Sequence, residues 1–133
     1  MAFFTFKKFK KNSGTLIPIS LKKQIPFKTK RIFLIYGNKD FVRGPHAHKK
    51  CSQFLLPVLG KIELTYVNKI LNKKVILDSS KKKGILLKPL TWCKLSFITK
   101  NAVIMVFCDR EYEFKDYIEK YEDFLKIIKK NKK

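Results

Sequence analysis

Long apolar runs, arginine, histidine and acid are all scarce in this 133-residue chain, and each scarcity closes a class of explanation. The longest unbroken apolar stretch, Ala102 to Cys108, has seven residues, against the roughly 20 that a membrane-spanning helix requires. At the start, Met1 to Lys11, aromatics are interleaved with Lys7, Lys8, Lys10 and Lys11. A secretory signal places its positive residues ahead of about 7–15 apolar ones, so none is expected. Cysteine is limited to Cys51, Cys93 and Cys108, an odd number without metal-type spacing. A reduced, cytoplasmic setting fits that usage better than a disulfide framework.

The net charge of +21 invites a nucleic-acid reading, but the basic residues are 28 lysines and only three arginines, Arg31, Arg43 and Arg110. Base edges and bidentate phosphate contacts favour the planar fork of arginine. The lysines run from end to end, and seven of the ten acids crowd between Asp109 and Asp123. Such dispersal describes solvated faces rather than a docking stripe, so nucleic acid is not the expected partner. The charge does favour a small anionic ligand, by steering it.

What the chain has is core. Hydrophobic residues make up 45% and include twelve Phe, enough for one packed domain and too many for disorder. Neither an internal repeat nor a separating linker is visible. Lys30 to Tyr36 is β-branched and aromatic, closed by Gly37-Asn38. Gln53 to Leu59 and Lys61 to Val67 flank Gly60; Val75 to Asp78, Ile85 to Lys88, Thr91 to Ile98 and Ala102 to Cys108 follow at short intervals. Short strands with regular turn signals argue for an all-β sandwich or barrel. The tail changes period: Tyr117, Ile118, Tyr121, Phe124, Leu125 and Ile128 recur at three and four, predicting an amphipathic helix within residues 114–130.

Chemistry concentrates in Arg43 to Gln53, which holds both histidines of the protein, His46 and His48. In an extended segment, residues two apart project to one face, so both imidazoles can enter one cavity. Neutral imidazole is both a metal ligand and a base near neutral pH; two surface histidines in a loop are the plainer alternative.

The spacing from His48 to Gln53 and on to Gly60 resembles the first motif of the cupin superfamily, a jelly-roll fold. Metal-binding cupins place a Glu where this chain has Gln53 and a second-motif His where it has Lys94. Two imidazoles without a carboxylate under-ligate a transition metal, and Cys93 is better read as a buried thiol than as a substitute ligand; no metal is expected.

A closer resemblance lies in Gln24-Ile25-Pro26-Phe27, in Lys30-Arg31-Ile32-Phe33, in Arg43-Gly44-Pro45-His46-Ala47-His48-Lys49, and in the tail from Asp109-Arg110-Glu111-Tyr112-Glu113 through Asp116-Tyr117-Ile118 to Tyr121-Glu122-Asp123-Phe124. These segments resemble the nucleotide-sugar 3,4-ketoisomerases, cupins that act on dTDP-4-keto-6-deoxyglucose in the biosynthesis of unusual deoxyamino sugars. Pro45 within the motif and Cys93 after Trp92 depart from the pattern.

The resemblance implies a jelly roll with a C-terminal helix, a dTDP-linked keto-sugar substrate and no cofactor. It puts His46 first as the base and His48 as the partner that shuttles or orients protons, with the reverse order open. Arg43, or a hydroxyl such as Tyr36, would stabilise the oxyanion, unless Tyr36 merely packs at a strand end. Arg31 and Lys88 are candidates for the diphosphate, although a solvated face suits Lys88 as well. Gln53 would hold a histidine or a sugar hydroxyl, or else pack in the core. Trp92 would wall the sugar or base, or else belong to the core. A homodimer is implied too, with the N-terminal strand, residues 1–12 around Phe3-Phe4-Thr5-Phe6, exchanged between subunits or folded onto its own sheet. Two other classes stay open: a 3,5-epimerase of the same substrate class, and a non-catalytic sugar or nucleic-acid binding module.

Overall fold

Alternating burial along the strands divides the chain into two facing five-stranded antiparallel sheets. The computed structural model describes residues 3–130. Three short strands, β1 (Phe3–Thr5), β2 (Phe9–Lys11) and β3 (Gly14–Leu16), precede one helical turn, α1 (Leu21–Gln24). Eight strands follow: β4 (Arg31–Gly37), β5 (Val42–His48), β6 (Gln53–Leu59), β7 (Lys61–Val67), β8 (Asn72–Asp78), β9 (Lys83–Leu87), β10 (Trp92–Phe97) and β11 (Ala102–Cys108). A two-residue strand β12 (Tyr117–Ile118) and helix α2 (Tyr121–Lys130) complete the described chain. The sheets have the orders β1-β9-β6-β11-β4 and β12-β5-β10-β7-β8, with β2 and β3 forming a separate hairpin. No helix among the described residues is long and apolar enough to cross a membrane.

Period-two patterning makes the core. On β7, Ile62, Leu64 and Tyr66 are buried while the residues between them are less so; on β10, Cys93, Leu95 and Phe97 do the same. They meet Leu55, Ile85, Ile104 and Val106 of the opposite sheet in one cluster. Strands β6, β7 and β11 occupy the ranges expected from sequence. Strand β8 begins three residues before the expected Val75, because Asn72 pairs with Val67 and the whole of β7 is matched in register. The turn between β6 and β7 needs Gly60, whose φ is +76° and where a Cβ would stand 2.3 Å from Thr99 Oγ1.

Two smaller clusters cover the outer faces. Phe4, Phe6, Ile17, Ile19, Ile25 and Phe27 lie over Phe54, Leu56 and Phe107, which is why the centre of β6 is buried on both faces. Strand β1 pairs with β9 of its own chain, Phe3 opposite Ile85. Within the expected 1–12 segment, Met1 and Ala2 lie outside the described residues, and the rest carries the two short strands β1 and β2.

The tail is the main departure from expectation. A single 3-10 turn, Phe114–Asp116, and β12 replace the first part of the expected 114–130 helix. Hydrogen bonding decides this, since Tyr117 and Ile118 pair with His48 and Ala47 of β5. Only from Tyr121 does the chain turn helical, with Glu122 and Asp123 in the first turn and Lys129 and Lys130 in the last, the order the helix dipole favours. Helix α2 seats Phe124, fully buried, against Ala47, Ile118, Trp92 and Val67 on the outside of the second sheet.

Candidate active site

The motif Arg43-Gly44-Pro45-His46 is a β-bulge. Strand β5 pairs with β10 through His46↔Cys93 and Arg43↔Leu95, so three steps on β5 match two on β10. The extra residue has two physical consequences. Pro45, which lacks an N–H, is tolerated where the ladder is already interrupted. Arg43 and His46, three apart and therefore on opposite faces of a regular strand, both line the same cavity. Gly44 supplies the left-handed φ of +66° the bulge needs, and a Cβ there would come within 3.0 Å of the His46 ring.

That cavity, about 380 Å³, lies between the sheets. Phe33, Ile35, Leu55, Leu95 and Val106 form apolar walls, and Arg43, His46, Gln53, Cys93 and Tyr117 contribute polar groups. The two imidazoles stand edge to face with centroids 5.0 Å apart. Tyr117 packs on both, at 5.1 Å from His46 and 4.4 Å from His48.

Behind His48 lies a carboxylate, Asp116, that the sequence places in the tail motif without a role in the site. Asp116 Oδ2 is 3.0 Å from His48 Nδ1, with both side chains buried. The same carboxylate accepts from the backbone N–H groups of Lys50 at 2.7 Å and Cys51 at 3.3 Å. Burial opposes its ionisation, but these bonds together outweigh burial and hold Asp116 below the usual carboxylate range. An ionised Asp116 fixes the proton of His48 on Nδ1 and leaves Nε2 with a bare lone pair. That atom is buried and has no partner among the described residues.

Both imidazoles are neutral at pH 7. Burial, the neighbouring His48 and Arg43 push His46 down to about 4, despite its hydrogen bond to the Gly44 backbone. Burial also lowers His48, with Asp116 opposing. Cys93 is pushed up to about 12 by full burial and stays a thiol.

His48, Cys51 and Asp116 place three potential ligand atoms within 4.8 Å of one another. Their donors are already committed. Asp116 serves His48 and two backbone N–H groups, and the Cys108 sulfur and burial raise the Cys51 pKa, keeping it protonated. The trio reads as a hydrogen-bonded support for His48 rather than an open coordination site.

Five expected site residues lie outside the cavity lining: His48, buried against Tyr117 and Asp116, and the four that follow. Tyr36 is 73% exposed, because it shares the outward parity of Ile32 and Leu34 whereas Arg31, Phe33 and Ile35 face in. Lys88 follows the end of β9 and is solvent-exposed, away from the cavity lining. Trp92 points to the outer face of β10, where its ring meets Tyr121 at 5.3 Å and Phe124 at 5.7 Å, so it anchors α2. Arg31 faces inward, yet its guanidinium is held between the Phe33 and Tyr112 rings, at 5.2 and 5.5 Å, and donates to Cys108 Sγ at 3.6 Å. It braces one end of the barrel. Gln53 is where expected, buried at the cavity with Nε2 3.7 Å from Cys108 Sγ.

Two antiparallel sheets closed over an inward His-x-His pair, with a C-terminal helix outside, define a cupin jelly roll. The chain belongs to the WxcM-like, C-terminal (FdtA) family, whose model matches residues 1–129. It is 33% identical over 126 residues to the TDP-4-oxo-6-deoxy-alpha-D-glucose-3,4-oxoisomerase of Aneurinibacillus thermoaerophilus, covering 94% of this chain and 90% of that protein. The crystal structure of QdtA, a sugar 3,4-ketoisomerase from Thermoanaerobacterium thermosaccharolyticum solved with TDP, superposes with a TM-score of 0.91 at 31% identity, covering 99% of this chain and 96% of that one. A mutant of the same enzyme has been solved with TDP-4-keto-6-deoxyglucose. A 3,4-ketoisomerase from Helicobacter canadensis gives a TM-score of 0.88 at 30% identity, with 96% of each chain covered.

Proposed function

We propose that this protein is a sugar 3,4-ketoisomerase that converts TDP-4-keto-6-deoxyglucose into a TDP-3-keto-6-deoxyhexose. The observation that carries this reading is the buried His48–Asp116 pair with a bare Nε2, its ring packed on His46 and Tyr117, which line the cavity. The named activities of the relatives supply the substrate class.

The reaction is redox-neutral overall. A base removes the proton on C3, the electron pair moves onto the C4 oxygen, a proton passes from O3 to O4, and C4 is protonated as the C3 carbonyl forms. We assign the base to His48. Protonating it creates an imidazolium against an ionised carboxylate, whereas protonating His46 sets a charge beside Arg43 and another imidazole. Sequence alone put His46 first; the carboxylate behind His48 reverses the order. His46 is then held by the Gly44 backbone with its other nitrogen free to accept from a sugar hydroxyl. Arg43 and Gln53 offer N–H donors to the sugar oxygens.

A cavity of about 380 Å³ suits a hexose ring, leaving the nucleotide across the mouth, where Arg43 is exposed and the chain's positive charge attracts diphosphate. The expected assembly is a homodimer: Ile32, Leu34 and Tyr36 present an exposed apolar row on the edge strand β4, a surface of the kind subunits cover. A reducing cytoplasm suits three free cysteines.

Borodeuteride trapping tests the function. Substrate incubated with the protein and then reduced should carry deuterium at C3. Deuterium confined to C4 would mean that no carbonyl had moved.

A further inference from the structure

Isomerisation needs a second proton transfer besides the one between C3 and C4. As the C3 proton leaves, the hydroxyl proton on O3 must reach O4, two oxygens on adjacent carbons. A single group able to donate to one and accept from the other does this, and a hydroxyl is such a group. Tyr36, the hydroxyl expected from sequence, faces outward and is 73% exposed.

Among the residues lining the cavity, Tyr117 alone bears a hydroxyl. Its ring is fixed on three sides: it packs on His46 and His48 at 5.1 and 4.4 Å, meets Tyr112 at 5.8 Å, and pairs through its backbone with His48 in β12. The Tyr117 side chain lies close enough to the Arg31 guanidinium to help raise the arginine's pKa. That guanidinium is itself stacked between Phe33 and Tyr112 and anchored on Cys108 Sγ. The aromatic and cationic cluster at this end of the barrel therefore holds one phenol against the cavity, next to the proposed base.

We propose that the Tyr117 hydroxyl is a catalytic residue, the relay that carries the proton between the two sugar oxygens. The inference rests on the ketoisomerase reading and deepens it. His48 takes the C3 proton and the C4 carbonyl electrons collect on O4. The phenol O–H gives its proton to O4, and the phenolate so formed takes the proton from O3. The O3 electron pair then forms the C3 carbonyl, and C4 receives a proton from His48. Tyr117 and His48 return to their starting states, and no oxidant or reductant is consumed. The cationic Arg31 stabilises the transient phenolate.

Tyr117→Phe isolates the hydroxyl, because phenylalanine keeps the ring packing on both imidazoles. Wild type and variant are compared in deuterated water with TDP-4-keto-6-deoxyglucose, following by proton NMR both transfer of the carbonyl and loss of the C3 proton from unconverted substrate. The variant should transpose the carbonyl at least about 100-fold more slowly, within the range general acid–base groups contribute. It should still exchange the C3 proton within about tenfold of wild type, as the His48–Asp116 pair is untouched. Transposition within about fivefold of wild type would overturn the proposal. So would equal loss of exchange and transposition in a variant that still binds TDP, since Tyr117 would then only position the histidines. If wild type itself moves no carbonyl, the ketoisomerase function falls first, an outcome distinct from either of these.

Discussion

Acidification should destabilise the fold through His46 well before the carboxylates titrate. In the unfolded chain this imidazole has its ordinary value of 6.5; the fold holds it at about 4, mainly because it is buried, with His48 and Arg43 adding repulsion. Between those values the unfolded chain binds a proton that the folded chain does not. Stability is therefore intact above pH 6.5 and falls as the pH drops toward 4. The gap corresponds to a loss of about 3 kcal/mol when complete, and of about 2 kcal/mol by pH 5. Asp116, held below the usual carboxylate range, remains ionised through this window and does not contribute to the change. Urea unfolding followed by the fluorescence of the single tryptophan, Trp92, measures the effect if wild type and His46→Gln are compared from about pH 7.5 to about pH 5. Subtracting the variant removes the contributions of His48 and of surface groups. Wild type should lose about 2 kcal/mol relative to the variant over that range. Curves parallel to within about 0.5 kcal/mol would refute the burial and repulsion argument for His46.

Asp116→Asn should lower kcat by about 10²–10⁴, with a smaller effect on KM, because the imidazolium loses its counter-charge. The same change should destabilise the fold by about 2–3 kcal/mol, as charge-assisted bonds to His48 and two backbone N–H groups become neutral ones; parallel kinetics and denaturant titrations check both. Tyr36→Phe and Lys88→Ala should each leave kcat/KM within about twofold of wild type, since neither side chain lines the cavity. Phe124→Ala should cost about 3–5 kcal/mol in a thermal or chemical melt, because the ring is fully buried between α2 and the second sheet.

Sequence patterning carries strands well where both neighbours are present to hold them. Strands β6, β7 and β11 are read correctly because apolar runs end at turn residues such as Gly60 and Asn68, whose Oδ1 accepts from Ile70 and Leu71 at 2.8 Å. The tail is misread because Tyr117 and Ile118 satisfy the three-and-four spacing of a helix while their backbone pairs with β5; long-range hydrogen bonding overrides local periodicity there. At the site, the parity of His46 and His48 is legible, and the parity of Tyr36 could have been. Arg31 and Tyr36 are five apart on one strand and cannot both face inward. The bulge at Gly44 and Pro45 reverses the same rule for Arg43 and His46, with only the Gly-Pro pair to signal it. Asp116 is hidden for another reason. It lies 68 residues from His48 among seven crowded acids, and only the fold selects the one that reaches the imidazole.

The most direct test of the account is proton NMR of TDP-4-keto-6-deoxyglucose with the protein in deuterated water. A carbonyl that moves to C3 with a new proton or deuteron at C4, lost in His48→Asn, is the expected result. Deuterium at C5 with the carbonyl still at C4 would contradict it and identify an epimerase on the same fold.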